Sequence, residues 1–443
     1  MNHAPFDAYA KIAKKRRPVV AEAVRTPFLD SGGAYADLRN HELGALALRG
    51  VLDKTGLAAE HVGLVTMGMV VQDVQTTNVA REAMIAAGYP SRIPAYTVSM
   101  AGVSPAVGLV HIADMIALGR IDIAVAGGTE NFSDIPIRFA RNVRQRAVKL
   151  GRAKTTAQRL RILAGMRPAD IIPEIPTAKD MTTGLDMGES CEAMARRFGV
   201  SREQADDYAV GSHHAAARAW EDGRYEHDVL AVDAPGGQSV RRDDAIRADT
   251  SAAKLARLKP AFDKDNGIIT AGNATGLTDG ATAALVTSAE AAKRHGLNAL
   301  AQIRDYQMVG VHDMHTEMLL GPALSIPPLL ARHGLAMDDI GVFELHEAFA
   351  AQILANQKAL ADNAFARAEL GLDKAPGPIP PEKLNCWGGS LALGNPFAGT
   401  GGRLLSRAAR RLQAEDQRYA VVATCAGGGL GAAILLENPG GGG

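Results

Sequence analysis

Apolar runs and helix-like patterns alternate along the first third of the chain. The first apolar run begins at Pro18-Val19-Val20. Further short apolar runs, typical of buried strands, lie within 62–71 and 121–126, and apolar residues recur with helical spacing over 41–54 and 78–87. Strands that alternate with helices predict an α/β layer fold whose strands are buried on both faces.

Residues 97–109 form an apolar strand end that turns into a buried helix. Pro105 suits the first helical turn, where its missing N–H costs nothing, so Gly102 is predicted at a helix N-terminus. Backbone amides there bind anions or polarised carbonyls, and the helix dipole stabilises a nucleophilic thiolate or alkoxide. This chain has glycine at that position. Taken alone, Gly102 is predicted to be a tight-turn residue with a special backbone angle.

The second half of the chain repeats the pattern of the first. A strand with a turn, a strand end with a helix, and a strand closed by glycines recur in the same order. The matching stretches are 64–71 with 342–350, 97–109 with 384–401, and 121–128 with 419–430. A duplicated chain usually has its functional site at the junction of the two copies.

Residues 135–263 depart from this pattern and are predicted to form a helical cap inserted into the α/β core. Amphipathic helices are predicted over 188–198 and 201–222, the second opened by the capping box Ser201-Arg-Glu-Gln204. Residues 270–280 then form a small-residue loop, which lacks the GxxxxGK pattern of a phosphate-binding P-loop.

Residues 138–167 contain ten lysines or arginines and no acidic residue. This local density favours a basic loop that meets nucleotide phosphates, a membrane surface or an acidic partner. Apolar residues within the segment, among them Leu150, Leu160 and Leu163, also allow peripheral contact with lipid. The alternative is a solvated helix face.

Composition narrows the functional classes. The 443 residues are 47% hydrophobic, which is enough for a large core, and 48 basic residues balance 48 acidic ones, which argues against nucleic-acid binding. Cys191, Cys386 and Cys425 are too scattered for a disulfide framework or a CxxC metal site, so we expect no metal and a reducing, cytoplasmic compartment. No stretch approaches the ~20 apolar residues of a membrane span, and the basic start lacks the apolar region of a secretory signal.

Four loops carry the candidate chemistry: the turn at Gly102, His346-Glu-Ala-Phe349, Gly394-Asn-Pro-Phe397 and Cys425-Ala-Gly-Gly-Gly429. In this order they resemble the four active-site loops of the thiolase family, and the resemblance extends from about residue 19 to residue 436. Stretches that resemble the long-chain branch, the thiolase subunit of fatty-acid β-oxidation trifunctional complexes, are 68–72, 78–81, 259–263, 278–280, 319–322 and 346–352.

The resemblance implies a thiolase fold, in which two duplicated βαβαβαββ halves form a five-layered αβαβα core with an inserted helical cap or loop domain. The expected divisions are an N-terminal extension (1–17), the first part of the N-terminal half (18–134), the cap (135–263), the end of that half (264–290), the C-terminal half (291–438) and a disordered tail (439–443). Family members assemble as dimers or tetramers, which implies a homo-oligomer. The trifunctional branch adds a hydratase-dehydrogenase subunit as a candidate partner.

Thiolases cleave or form 3-oxoacyl-CoA through an acyl-cysteine, and the resemblance implies a role for each loop. The nucleophilic cysteine falls on Gly102, and the histidine of the Gly-His-Pro loop, which activates that cysteine, falls on Asn395. His346 keeps its place in the oxyanion hole for the thioester oxygen, and Cys425 keeps the place of the acid/base that moves the α-proton. Backbone N–H groups of Gly102 and Gly427 would form a second oxyanion hole.

Four further residues match family positions that line the CoA channel or its reactive end: Met187, Thr275, Ala348 and Phe349. Core packing is the alternative role for each of them. Coenzyme A or acyl-CoA is the expected substrate, and the resemblance implies no covalently bound cofactor.

The two departures from the family pattern change the expected chemistry. Without a thiolate at Gly102 no acyl-enzyme can form, and Asn395 can donate a hydrogen bond but cannot take a proton. What remains is enolate chemistry on a CoA thioester, with Cys425 as acid/base and His346 and Asn395 as oxyanion donors.

Three hypotheses stay open. The first is a carbon–carbon bond enzyme that works without an acyl-cysteine, for example by a retro-aldol step. The second is a 3-ketoacyl-CoA thiolase (acetyl-CoA C-acyltransferase) of fatty-acid degradation with a substituted nucleophile. The third is a non-catalytic subunit that binds acyl-CoA.

Overall fold

The chain forms a set of strands and helices on each side of an inserted segment. The computed structural model describes residues 9, 12–164, 166, 167, 170, 172–174 and 179–441. The first set comprises β1 (Pro18–Arg25), β2 (Leu29–Asp30), α1 (Asn40–Thr55), β3 (Val65–Gly68), α2 (Val79–Ala86), β4 (Ala95–Val98), α3 (Ser104–Ala117) and β5 (Ile123–Glu130). The predicted N-terminal extension and C-terminal tail lie partly outside the described residues.

The inserted segment follows the first set along the chain, and the second set comes after it. The segment comprises β6 (Arg138–Phe139), α4 (Arg141–Arg152), α5 (Thr156–Leu163), β7 (Pro173–Glu174), α6 (Met187–Arg197), α7 (Arg202–Glu221), β8 (Val232–Asp233), β9 (Ser239–Val240) and α8 (Ala252–Leu255). The chain then returns to the first set with β10 (Thr278–Ser288) and α9 (Ala289–Arg294). The second set comprises β11 (Ala301–Gly310), α10 (Gly321–Arg332), β12 (Val342–Leu345), α11 (Ala350–Ala361), α12 (Asn363–Phe365), α13 (Ser390–Leu393), α14 (Phe397–Ala414), β13 (Tyr419–Ala426) and β14 (Leu430–Glu437).

The main strands form a continuous sheet in the order β12-β13-β14-β11-β1-β10-β5-β3-β4. β1 and β11 meet at its centre, where Val19 pairs with Gln302 and Val20 with Ala301. Outward from this seam each half has an antiparallel pair, β1 with β10 or β11 with β14, and then a parallel pair, β5 with β3 or β13 with β12. The two halves therefore repeat one strand order, as the duplicated sequence pattern predicts.

Helices cover both faces of each half-sheet, so that helices and half-sheets alternate in five layers. α3 and α14 pack against each other between the half-sheets, while α1 covers the outer face of the first half-sheet and α10 that of the second. In β5, Ala124 and Ala126 pack with α3 and α14, whereas Ile123 and Val125 pack with α1. Because successive side chains of a strand point to opposite faces, burial on both faces produces the apolar runs seen in the sequence.

The inserted segment is largely helical. α6 and α7 pack against α11, and the capping box at Ser201 and Gln204 is formed. α4 and α5 pack against each other, and neither helix has a buried residue. The basic stretch 138–167 is therefore built around an exposed helical hairpin. None of the described helices is long and apolar enough to cross a lipid bilayer.

Helix bounds follow the sequence pattern, with one correction. The patterns at 41–54, 78–87, 188–198 and 201–222 correspond to α1, α2, α6 and α7. The helix predicted to start at Gly102 begins instead at Ser104, with Val103 as its N-cap and Pro105 in its first turn. Gly102 belongs to the turn that precedes α3.

Candidate functional site

Two adjacent parallel strands, β12 and β13, end at the same edge of the sheet and position His346 and Cys425. Leu345 pairs with Ala423 at the strand ends, and the His346 N–H donates to the Ala423 carbonyl at 3.0 Å. Cys425 lies two residues beyond Ala423, and both pack in the same apolar cluster. The carboxyl ends of parallel strands thus bring the two predicted side chains to one edge.

The turn before α3 places Gly102 against the Cys425 strand. A Cβ built on Gly102 would lie 3.4 Å from the Cys425 carbonyl oxygen and 3.6 Å from the Ala426 Cβ, both ordinary contacts. Gly102 does not have a positive φ, whereas Ala101 has a φ of 46°. The prediction that Gly102 supplies a special backbone angle is therefore wrong, because Ala101 occupies the left-handed region and position 102 has both the backbone angle and the space for a Cβ.

Ser104 braces this turn from the first position of α3. Its Oγ accepts the Met100 N–H at 2.8 Å and donates to the Ala101 carbonyl at 2.5 Å. The side chain is fully buried. Because the hydroxyl is engaged within the turn, Ser104 does not substitute for a nucleophilic thiol at Gly102.

Cys425 is 2% exposed, and burial raises the pKa of its thiol to about 12. The protonated thiol is therefore the form present at neutral pH. In the glycine run that follows, a Cβ on Gly427 would lie 3.4 Å from the Met187 Sδ. The N-terminus of α6 thus brings Met187 beside the Cys425 loop, and its role in a CoA channel stays a prediction. The use of the Gly102 and Gly427 N–H groups as oxyanion donors stays a prediction.

His346 is held by two polar side chains on its far side. Its Nδ1 lies 2.9 Å from the Ser390 Oγ, and the Arg403 Nη2 donates to the same Oγ at 2.8 Å. Burial, reinforced by the Arg403 charge, lowers the pKa of His346 to about 3. The imidazole is therefore neutral at physiological pH, and its Nε2 has no hydrogen-bond partner among the residues that the structure describes.

Asn395 reaches the same region from the loop between α13 and α14. Its backbone N–H donates to the Gly276 carbonyl at 3.0 Å, and its Oδ1 accepts the Thr400 hydroxyl at 2.7 Å. The preceding Gly394 has a φ of 88°, and a Cβ there would clash with the Thr278 side chain at 2.3 Å. Asn395 is 5% exposed, and its Nδ2 is the end of the amide left to donate.

The small-residue loop 270–277 joins the His346 loop to the Asn395 loop. The Thr275 N–H donates to the Ala348 carbonyl at 3.1 Å, and the Thr275 Oγ1 donates to the Ser390 carbonyl at 2.7 Å. Phe349 packs edge-on against Phe262 with the ring centroids 6.1 Å apart. The structure thus links Thr275 and Ala348 directly, and the role of Thr275, Ala348 and Phe349 in lining a CoA channel stays a prediction.

Sequence reasoning missed the polar residues behind the site. Glu347 is 1% exposed and accepts hydrogen bonds from Tyr208, Ser212, Asn385 and the Leu391 N–H. Ser390 and Arg403 were also missed. A signal did exist for Arg403, because Arg403, Arg407 and Arg411 recur every four residues and so share a face of α14 that the structure buries.

Family models match both halves of the chain. The model described as "Thiolase, N-terminal domain" matches residues 18–290, and the model described as "Thiolase, C-terminal domain" matches residues 297–438. The trifunctional enzyme subunit beta, mitochondrial, of Bos taurus is 44% identical over 422 residues, which cover 95% of this chain and 88% of the bovine chain. A probable 3-ketoacyl-CoA thiolase of Caenorhabditis elegans is 41% identical over 434 residues, which cover 97% of this chain and 96% of the relative.

A solved structure supports the same assignment. The crystal structure of human mitochondrial 3-ketoacyl-CoA thiolase in complex with CoA superposes with a TM-score of 0.81 at 28% sequence identity, covering 96% of this chain and 99% of the human chain. The shared fold extends through both half-sheets. The chain belongs to the thiolase family.

Proposed function

We propose that this chain cleaves a carbon–carbon bond of a CoA thioester through an enolate, without an acyl-cysteine intermediate. The observation that carries the proposal is a contrast within one site: Gly102 has no side chain, whereas the neighbouring His346 and Cys425 keep a hydrogen-bond donor and a proton source. The relatives named as 3-ketoacyl-CoA thiolases, one of them in complex with CoA, support the substrate class.

The electrostatics of the site suit an enolate oxygen. His346 is neutral because its pKa is lowered to about 3, so its ring offers an N–H without bringing a positive charge. The Asn395 Oδ1 is occupied by Thr400, so Nδ2 is free to donate. Donors fixed in a buried site before charge develops stabilise the transition state more than they stabilise the substrate.

Retro-aldol cleavage of a 3-hydroxyacyl-CoA fits these groups. The hydroxyl proton passes to water, the C2–C3 bond breaks, C3 leaves as a carbonyl compound, and the electron pair moves onto the thioester as an enolate. The Cys425 thiol protonates C2 to give the shortened CoA thioester, and water returns a proton to the thiolate. The raised pKa of Cys425 supports its role as proton donor, and no step needs a bond to the enzyme at Gly102.

The test is to incubate the protein with short and long 3-hydroxyacyl-CoA and to measure the aldehyde and the shortened CoA thioester by mass spectrometry. We expect Cys425→Ala to slow cleavage by roughly 10²–10⁴-fold. The control Cys386→Ala removes a half-buried thiol whose Sγ donates to the Glu382 carbonyl, and it should leave the rate unchanged. Equal turnover in Cys425→Ala would remove Cys425 from the mechanism, and tight binding without any cleavage would favour the non-catalytic subunit.

The names of the relatives favour a second candidate, the 3-ketoacyl-CoA thiolase reaction of fatty-acid degradation. This candidate predicts loss of 3-oxoacyl-CoA only when free CoA is present. Because Gly102 cannot form a thioester, thiolysis by the wild-type chain would have to proceed by direct attack of CoA. Turnover that needs CoA and disappears in Cys425→Ala would select this candidate over retro-aldol cleavage.

We also propose that the chain assembles with itself and with a hydratase-dehydrogenase subunit. The bovine relative is named as the beta subunit of a trifunctional enzyme, which supports the second part. Light scattering on the purified chain tests self-assembly, and co-purification with the hydratase-dehydrogenase encoded by the same organism tests the other. A monomer, or no co-purification, would contradict the respective part.

The exposed hairpin of α4 and α5 supports a proposal of peripheral lipid contact. Besides its basic residues it exposes large apolar side chains, with Val148 57%, Leu160 62% and Leu163 44% accessible. We expect co-sedimentation with vesicles that contain an anionic phospholipid and not with zwitterionic vesicles. Replacing Lys149 and Arg152 with glutamate should abolish sedimentation. The same change at Lys293 and Arg294 of α9 is the control, and equal loss there would indicate that only net charge matters.

A further inference from the structure

The hydroxyl of Ser390 has a hydrogen-bonding pattern that determines its direction. Its Oγ has two polar neighbours among the described residues, the Arg403 Nη2 at 2.8 Å and the His346 Nδ1 at 2.9 Å. A guanidinium can only donate, so Ser390 accepts from Arg403. The one acceptor then left for the Ser390 O–H is the lone pair of Nδ1. Because a buried hydroxyl without an acceptor is costly, this arrangement favours donation from the Ser390 O–H to the ring, with no proton on Nδ1.

This direction fixes the chemical state of His346. A neutral imidazole has one N–H, and with Nδ1 as an acceptor the proton must lie on Nε2. Burial keeps the ring neutral, and the nearby Arg403 cation further disfavours a second proton. Nε2 has no protein partner among the described residues, and His346 retains 7% of its surface. The ring therefore presents a donor, rather than a lone pair, on the side away from Ser390.

The anchor of this chain of hydrogen bonds is rigid. Arg403 is completely buried in α14, and Ser390 is completely buried as the first residue of α13. Among the described residues, the Arg403 Nε and Nη1 have no hydrogen-bond partner, so the bond to Ser390 is the one hydrogen bond that this side chain makes. Arg403 thus directs its one hydrogen bond among the described residues at the residue behind His346.

We propose that Ser390 and Arg403 are positioning residues that hold His346 as its Nε2–H tautomer, so that the ring donates to the thioester oxygen of the substrate. The catalytic part rests on the proposed enolate function, whereas the tautomer is a property of the protein without substrate. Reversal of the tautomer would direct a lone pair at a developing negative charge and so repel it. The relay thus decides whether His346 stabilises or opposes an enolate.

The first test measures the tautomer directly, without turnover. The full chain is labelled with ring-¹⁵N histidine, and the His346 signals are assigned by their absence in His346→Asn. We expect a protonated Nε2 and an unprotonated Nδ1 in the wild type, and a mixture of tautomers in Ser390→Ala. A protonated Nδ1 in the wild type, or an unchanged spectrum in Ser390→Ala, would overturn the proposal.

The second test connects the tautomer to rate. For 3-hydroxyacyl-CoA cleavage we expect Ser390→Ala to lower kcat by roughly tenfold to a hundredfold with little change in KM, because the donor matters most when charge develops. Ser390→Thr keeps the hydroxyl and should recover most of the rate. The matched control is Ser325→Ala in α10. The Ser325 Oγ is also buried, and it donates to the Gly321 carbonyl at 2.8 Å rather than to His346.

The two tests distinguish failure of the proposed function from failure of the Ser390–Arg403 relay. An Nε2–H tautomer that depends on Ser390, in a protein that cleaves no CoA thioester, would contradict the proposed function and leave the relay standing. Active protein whose kcat falls equally in Ser390→Ala and Ser325→Ala would show a general packing effect and reject the relay. Loss in Ser390→Ala with rescue by Ser390→Thr and no loss in Ser325→Ala would support it.

Discussion

The candidate site contains two kinds of residue: Gly102 and Asn395, called here the Gly102 side, lack the side chains that the resemblance implies, whereas His346 and Cys425, called here the His346 side, keep them. On the Gly102 side the turn is held in a specific backbone conformation, with Ala101 in the left-handed region and the Ser104 hydroxyl hydrogen-bonded to the Met100 N–H and the Ala101 carbonyl. Position 102 itself has no side chain. On the His346 side the imidazole itself is hydrogen-bonded, and a line of hydrogen bonds leads from the ring through Ser390 to Arg403.

The difference shows that the architecture of a site and its chemistry are held by separate interactions. The turn before α3 is stabilised by its own backbone and by Ser104, so a missing side chain at Gly102 leaves it intact. His346 depends on Ser390 and Arg403, which lie 44 and 57 positions further along the chain. The Gly102 side can therefore change chemistry by substitution at its own two positions, whereas the His346 side also depends on residues far along the chain.

The largest effect expected from this comparison is a gain of function on the Gly102 side. The combined change Gly102→Cys and Asn395→His should raise thiolysis of 3-oxoacyl-CoA by roughly 10²–10⁴-fold over Gly102→Cys alone, because it supplies both a nucleophile and a base. The space around Gly102 accepts a Cβ, and the Thr400 hydroxyl could hold an imidazole as it now holds the Asn395 amide.

The measurement is the CoA-dependent loss of 3-oxoacyl-CoA, with intact-mass detection of an acyl group on the introduced thiol. Asn395→His alone is the control, and it should stay without acyl-enzyme. A double variant that folds, binds CoA thioesters and remains without acyl-enzyme would show that more than two side chains separate the two sides.

A smaller effect should appear in the acid stability of the His346 side. The pKa of His346 is lowered to about 3 in the folded chain, below the ordinary value near 6.5, so the unfolded chain binds a proton that the folded chain does not. The stability contributed by the neutral ring is complete above pH 6.5 and is lost as pH falls toward 3, at up to about 1.4 kcal/mol per pH unit.

His346→Asn should therefore flatten the decline of the unfolding free energy between pH 6.5 and 4, as measured by urea denaturation. The exposed His111→Asn serves as the comparison and should keep the wild-type slope. Neither Gly102 nor Asn395 titrates, so substitutions on that side should leave the slope unchanged. Equal slopes in the wild type and His346→Asn would contradict a neutral, buried imidazole.

The smallest effect concerns the backbone strain on the Gly102 side. Ala101→Gly should raise the unfolding free energy by about 0.5–1 kcal/mol, because glycine relieves a left-handed φ that costs an L-residue about 1–2 kcal/mol, less the greater freedom of glycine when unfolded. Ala157→Gly, within the exposed helix α5, makes the same chemical change and should lower stability instead. A loss of stability in both variants would mean that the turn is not strained.

The sequence predicted much of this molecule because the relevant signals are local. Buried strands produce apolar runs, and the capping box of Ser201 and Gln204 marks the start of α7. The duplicated sequence pattern predicts the repeated strand order. The motifs also predicted the four loops that carry the candidate residues. In each case the physical cause lies within a few residues of the signal.

What the sequence could not predict depends on partners far apart in the chain. A serine in a Gly-Gly-Ser run gives no sign that its hydroxyl lies between His346 and Arg403. The left-handed φ of Ala101 is equally hidden, since alanine is ordinary in a strand end. The hypotheses about reaction type also differ in the substrate and in the need for free CoA, which no motif records.

The pairing of β1 with β10 has a consequence for how the protein is made. Arg25 pairs with Thr282, about 260 residues later in the chain. At a synthesis rate of about 5–20 residues per second, β1 waits roughly 13–50 seconds on the ribosome before its partner strand exists. During that interval an apolar strand edge is unpaired while the whole inserted segment is translated, and the first half-sheet closes only afterwards. Nascent chains of this protein should therefore depend on chaperones until β10 has been made.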